Sequence, residues 1–150
     1  MFFISYSRKG DLPRAEALHQ ALLRLGVTDS EVWFDRETIE PGQDFRHRIL
    51  DGIRGCRYFL ALLSDDANLR EEAFVFDEWQ EANARKKKMN REFLFPVIVE
   101  ADYEPERYTA KPVLDGDWAR LDFCHAPGGM PDGRMTAKLK ALLRDTRRET

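Results

Sequence analysis

The spacing of wholly apolar runs constrains this chain more than any other feature. Phe2 to Tyr6, Val32 to Phe34, Tyr58 to Leu63 and Phe93 to Val99 hold apolar or aromatic residues at nearly every position. A strand buried on both faces reads this way, because neither side of its pleat meets water. Helical periods lie between the runs. From Leu12 to Leu25, Ala15, Leu18, Leu22 and Leu25 recur at steps of three and four. Asp11 is placed to cap that helix, Pro13 suits its first turn and Gly26 its end. A second helix is expected from Asp44 through Phe45, Ile49 and Ile53 to Gly55. A third spans Glu71 to Arg85 with Phe74, Val75, Trp79 and Ala82 on its apolar side, and Met135, Leu139 and Leu142 mark a last one. Asp35 to Gln43 has neither period and carries Pro41-Gly42, so it reads as a long loop. Ser64, Asp65, Asp66 and Asn68 read as a polar loop, and Leu121 to Phe123 as a short fifth strand. Glu100 to Asp117 is rich in proline and charge and has no clear period.

Strands alternating with helices imply parallel strands, right-handed crossovers and helices on both faces of one sheet. The fold class expected is therefore α/β: a flavodoxin-like three-layer fold with a five-stranded parallel sheet in the order 2-1-3-4-5. The strand order reverses between strands one and three, and ligands of such sheets sit beyond the carboxyl ends there. That points to Tyr6 to Gly10 and to Ser64 to Glu78. The 150 residues suit a single domain, 1–150, that can also stand as one module of a larger protein. No apolar run approaches the ~20 residues of a membrane span. A net charge of −3 gives no reason to expect nucleic acid or an anionic membrane as partner. Two cysteines far apart and no secretion signal point to the cytoplasm. Arg85 to Lys88, the densest basic run, falls at the end of the third helix, where cations complement the helix dipole.

Common nucleotide motifs are missing: no Gly-x-Gly-x-x-Gly follows the first strand, and no Walker sequence occurs. A phosphorelay receiver would need an acidic pair where Tyr6-Ser7-Arg8 stands. Cys124-His125 lacks two further spaced ligands, so no metal is expected. Trp33, Trp79, Trp118 and Cys56 read as packing residues, and His19 and His47 as solvated. Glu78 stands out. At helical spacing Phe74, Glu78 and Ala82 share one face, which sets a carboxylate within an apolar row. It either pairs with a Lys or Arg at the edge of the stripe or faces the cleft as a partly desolvated carboxylate suited to a cationic ligand.

Taken in order, Phe3-Ile4-Ser5-Tyr6-Ser7, Val32-Trp33-Phe34-Asp35 with Glu40-Pro41-Gly42, Ile49 to Cys56 leading into Phe59 to Ser64, Phe74-Val75-x-x-Glu78 and Phe95-Pro96-Val97-Ile98 resemble a TIR (Toll/interleukin-1 receptor) domain. The resemblance spans residues 2 to about 100 and is nearest to bacterial members, many of which serve antiphage defence within larger proteins. For many members it implies cleavage of NAD⁺ at the nicotinamide–ribose bond, with NAD⁺ as substrate and no bound cofactor. The family's glutamate lies four residues after an aromatic position, which falls on Phe74 and Glu78; Phe74 stands where Trp is commoner. Tyr6, Ser7 and Arg8 match the strand end that lines the nucleotide site. Asp35, Glu40, Ser64 and Phe74 join them as candidate substrate-binding residues. Asp35 to Gln43 matches the loop that gates the cleft and contributes to assembly, with Glu37, Ile39, Pro41, Gly42 and Asp44 as candidate assembly residues.

Nicotinamide leaves a pyridinium as a neutral base, so its departure needs no general acid. Charge builds on the ribose, and one carboxylate can stabilise it. Arg8 could meet the pyrophosphate, and Tyr6 or Phe74 could pack against a ring. The expected partners are NAD⁺, other TIR domains in a homo-oligomer or filament, and a fused or separate sensor. A non-catalytic TIR adaptor or host-signalling interference protein is the alternative, and a ribosyl transferase using the same cleft is a third.

Overall fold

The computed structural model describes residues 1–34, 45–70 and 74–148. Five strands form one parallel sheet: β1 (Phe2–Ser5), β2 (Val32–Trp33), β3 (Tyr58–Leu63), β4 (Leu94–Ile98) and β5 (Cys124–His125), in the order β2-β1-β3-β4-β5. The register sets Phe2 beside Val32 and Tyr58, and Ala61 beside Ser5 and Pro96. The helices are α1 (Leu12–Arg24), α2 (Phe45–Gly55), α3 (Asp65–Leu69), α4 (Phe74–Lys86), α5 (Lys111–Asp115) and α6 (Gly133–Arg148), with short 3-10 turns between them. No helix among the described residues is long and apolar enough to cross a membrane. The expected fold class and strand order are those observed.

Strand alternation divides the core in two. Phe3, Phe59, Ala61 and Leu63 face one side with Ile49 and Ile53 of α2, Val75, Trp79 and Ala82 of α4, and Trp118. Phe2, Ile4, Tyr58, Leu60 and Leu62 face the other with Leu18 and Leu22 of α1 and Met135, Leu139 and Leu142 of α6. Each large apolar side chain buried this way contributes about 1.5–3 kcal/mol before the entropy of ordering it is subtracted. Cys56, Trp79 and Trp118 are core residues, as expected, and Trp33 is half-buried against the same core.

Arginines lace α2 to α4. Arg46 meets Asp77 at 2.7 Å and Arg54 meets Glu81 at 3.1 Å. Arg85, in the last turn of α4, donates to the carbonyls of Ile53 and Cys56 at the end of α2 and stacks over Phe93. It therefore caps a neighbouring helix, not the solvated end of its own. Where the chain passes under α1, Gly129 lies against the Arg14 carbonyl with φ +94°, and a Cβ there would collide with backbone.

Four local expectations are corrected. The polar stretch after β3 is a short helix, α3, because Ser64 accepts from the Ala67 amide at 3.0 Å and Asp65 and Asp66 occupy the first turn. The fifth strand is Cys124–His125, beside Val97 and Ile98. The apolar character of Leu121 and Phe123 comes from packing on the core, not from strand pairing. Asp11 does not cap α1 through its side chain. His19 is buried against the Phe34 ring at 5.1 Å, with Nε2 2.9 Å from Asp29, where a solvated residue was expected.

Candidate functional site

The carboxyl end of β1 and the first turns of α4 meet at the place where the strand order reverses. Ser5 lies two residues after Phe3 on β1 and shares its face, so its side chain leaves the sheet on the α4 side. There its Oγ donates to Glu78 Oε1 at 2.6 Å, and both residues are buried. Arg8 lies in the turn after β1, a turn closed by the Asp11 amide donating to the Ser7 carbonyl at 2.9 Å. From there its Nη2 donates to Glu78 Oε2 at 3.2 Å. Glu78 is 1% exposed and Arg8 is 30% exposed. The carboxylate is thus buried, with the guanidinium as its more exposed partner.

Aromatic rings hold that guanidinium from two elements. The Arg8 guanidinium carbon lies 5.6 Å from the Tyr6 ring centre and 5.5 Å from that of Phe74. Arg46 of α2 lies 5.9 Å from the same Phe74 ring. Such contacts favour a cation by about 0.5–1 kcal/mol each at partly exposed sites. Of the two readings of Glu78, the pairing with an arginine is what the geometry shows, and the pair lies at the switch point. Ser5 was not among the candidate residues, yet its parity with Phe3 carries the signal that places it beside Glu78.

Ser7 and Ser64 bind within the protein instead. Ser7 Oγ donates to Asp66 Oδ2 at 3.0 Å and accepts from Arg70 Nε at 3.0 Å. Desolvation is the largest single influence on Asp66 and pushes its carboxyl up, but the hydrogen bonds from Arg70 and Ser7 and the charges of Arg70 and Arg14 together outweigh it and hold the carboxyl below its usual range. Ser64 Oγ donates to Asp11 Oδ2 at 2.5 Å while capping α3. Asp11 also pairs with Arg14 at 2.9 Å, and Arg14 continues to Glu100 at 3.0 Å. Burial pushes the Asp11 carboxyl above its usual range despite the hydrogen bonds from Ser64 and Arg14. Asp35, Glu40, Glu37, Ile39, Pro41, Gly42 and Asp44 lie outside the described residues.

Burial pushes the thiols of Cys56 and Cys124 up to about 11, so both are protonated at neutral pH and neither is a ready nucleophile. A cavity of about 670 Å³ lies along β4, β5 and α6, lined by Phe93, Phe95, Tyr103, Phe123 and Met135, and none of the Glu78 cluster lines it. It is an apolar recess flanked by the ion pairs Arg134–Asp122 and Lys138–Glu92.

The sequence matches the TIR domain family over residues 2–136. Among solved structures, the fold is similar to that of the TIR domains in the activated Roq1 resistosome, which directly recognises the pathogen effector XopQ. The TM-score is 0.63 at 14% identity, covering 97% of this chain and 98% of that one. At that identity the likeness shows the fold alone. No curated protein matches the sequence.

Proposed function

Since the chain belongs to the TIR domain family, we propose that it cleaves NAD⁺ at the nicotinamide–ribose bond, with Glu78 as the carboxylate that stabilises the ribosyl cation. The observation that carries this reading is a glutamate 1% exposed, hydrogen-bonded by Ser5 and Arg8, at the point where the sheet's strand order reverses. A buried anion in a low-dielectric wall acts on a developing cation more strongly than the same anion in water. In the reaction the C1′–N1 bond breaks and its electron pair goes to the pyridinium nitrogen, so nicotinamide leaves neutral. The positive charge passes to the ribose ring. Water adds at C1′ and loses a proton to give ADP-ribose; attack by a group of the same molecule gives a cyclised isomer.

Each residue near Glu78 then has a task. Arg8 meets the pyrophosphate, Phe74 and Tyr6 offer ring faces to the substrate, and Ser5 fixes the orientation of the carboxylate. Asp35 and Glu40 belong to a candidate substrate loop, while Ser7 and Ser64 support their loops through bonds within the protein. Glu37, Ile39, Pro41, Gly42 and Asp44 belong to a loop through which copies of the chain assemble. Assembly is the means of activation in this reading, because a cell that depends on NAD⁺ cannot tolerate a constantly active enzyme of this kind. Its setting would be defence against phage or another invader.

The test is nicotinamide release from NAD⁺ by the purified chain at high concentration, with and without forced assembly, beside Glu78→Ala. Release that disappears in the variant supports the reading. If forced assembly gives no release, or the variant is equally active, catalysis by Glu78 fails and a non-catalytic TIR adaptor takes its place.

A further inference from the structure

Glu78 cannot touch a ribose as it stands. One carboxylate oxygen accepts from buried Ser5 at 2.6 Å, the other from Arg8 at 3.2 Å, and the residue is 1% exposed. We propose that Arg8 guards Glu78 and is drawn off only by a ligand that brings an anion for Arg8 and a cation for Glu78 in one molecule. This inference rests on the NAD⁺ reading above and adds to it the source of substrate selectivity.

Three features make Arg8 the movable partner. Its Nη2 lies 3.2 Å from Glu78 Oε2, longer than the ~2.7–2.9 Å of a tight charge-assisted bond. Arg134 and Asp122, by contrast, meet at 2.6 Å. The guanidinium lies over the rings of Tyr6 and Phe74, faces across which a planar cation can slide without losing contact. Arg8 also sits in a turn, whereas Ser5 is in β1 and Glu78 is in α4.

Charge conservation then selects the ligand. The resting pair is neutral. A dinucleotide with a pyridinium at one end and a pyrophosphate in the middle replaces both partners together: Arg8 moves to the phosphates, and the cationic nicotinamide riboside end takes its place at Glu78. Nicotinamide riboside alone has no anion to receive Arg8. ADP-ribose has no cation to leave at Glu78, so as product it competes with the returning guard and departs readily. Ser5 keeps its bond to Oε1 throughout and holds the carboxylate in position.

A binding cycle tests this without turnover. ADP-ribose affinity is measured by calorimetry for the parent, Glu78→Gln, Arg8→Gln and the double variant, with melting curves to confirm folding. Glu78→Gln should tighten binding about tenfold by releasing Arg8 from its ion pair, and that gain should fall below about twofold when Arg8 is already Gln. An equal gain in both backgrounds, no gain, or no ADP-ribose binding by any of the four proteins overturns the guard. Turnover adds a second arm. Arg8→Gln should raise kcat/KM for nicotinamide riboside about tenfold while lowering it for NAD⁺. A riboside rate unchanged or lowered makes Arg8 a phosphate anchor only. If no substrate yields nicotinamide, the NAD⁺ reading fails, while the binding cycle still decides whether Arg8 guards Glu78.

Discussion

Two buried carboxylates sit at the carboxyl end of the same sheet, and each meets a serine hydroxyl and an arginine. Asp11 has Ser64 at 2.5 Å and Arg14 at 2.9 Å; Glu78 has Ser5 at 2.6 Å and Arg8 at 3.2 Å. Even the exposure matches, with both arginines at 30% and both carboxylates at 1% or less. The two sites differ in what the partners do next. Arg14 is bound again by Glu100, whose carboxylate also accepts from the Asp65 amide, and Ser64 caps α3. Asp11 is therefore tied into a network that joins β1, α1, β3 and β4. Arg8 rests on two aromatic rings in a turn. The same pair of residue types is a fastening on one face of the sheet and, in the proposed reading, a site on the other.

The comparison can be broken most sharply at Glu78. Glu78→Gln should lower nicotinamide release by about a thousandfold while leaving the melting temperature nearly unchanged, because the amide keeps the shape of the carboxylate. Parallel melting and turnover measurements check this, and a large loss of stability would make Glu78 a fastening like Asp11. Asp11→Ala should do the reverse, costing about 2–3 kcal/mol in urea unfolding, since it strips a buried partner from Ser64 and Arg14. Any loss of turnover in that variant should follow the folded fraction.

The serines sharpen the contrast. Ser64→Ala should cost about 1–2 kcal/mol through the lost cap of α3. Ser5→Ala should lower kcat about tenfold with a smaller change in stability, as expected for a group that orients Glu78. The smallest effect is in pH. Burial raises the Asp11 carboxyl's folded pKa above its unfolded value, so its stabilising contribution is complete below the unfolded value of about 3.8. It is lost as pH rises through the raised folded value. Urea unfolding of the parent and Asp11→Asn from pH 3 to 7 should therefore show the parent losing ground to the variant as pH rises; a parallel course would remove burial as the dominant influence on Asp11.

The architecture was legible because β1, β3 and β4 are buried on both faces and α1, α2 and α4 have clean helical periods. Glu78 was legible for the same reason, as a charge within the apolar row Phe74, Glu78, Ala82. What escaped were partnerships across the sequence. Ser5 and Glu78 are 73 positions apart, and Ser64 and Asp11 are 53 apart. Periodicity assigns a face to each but cannot name the opposite side chain. α3 escaped because five residues are too few to show a period, although Ser64 before Asp65 and Asp66 is a helix-start signature. His19 read as solvated because it lies outside the stripe Ala15, Leu18, Leu22 and Leu25; it is buried with its ring 5.1 Å from that of Phe34, which comes from a distant part of the chain.

The arginine lacing of α2 to α4 has a mechanical meaning. With ion pairs at Arg46–Asp77 and Arg54–Glu81, and Arg85 gripping the end of α2, the two helices are pinned at three points along their length. Two rods joined at three points do not slide past each other without breaking a pin. A displacement of the amino end of α2 would thus be passed in part to α4, the helix that carries Glu78.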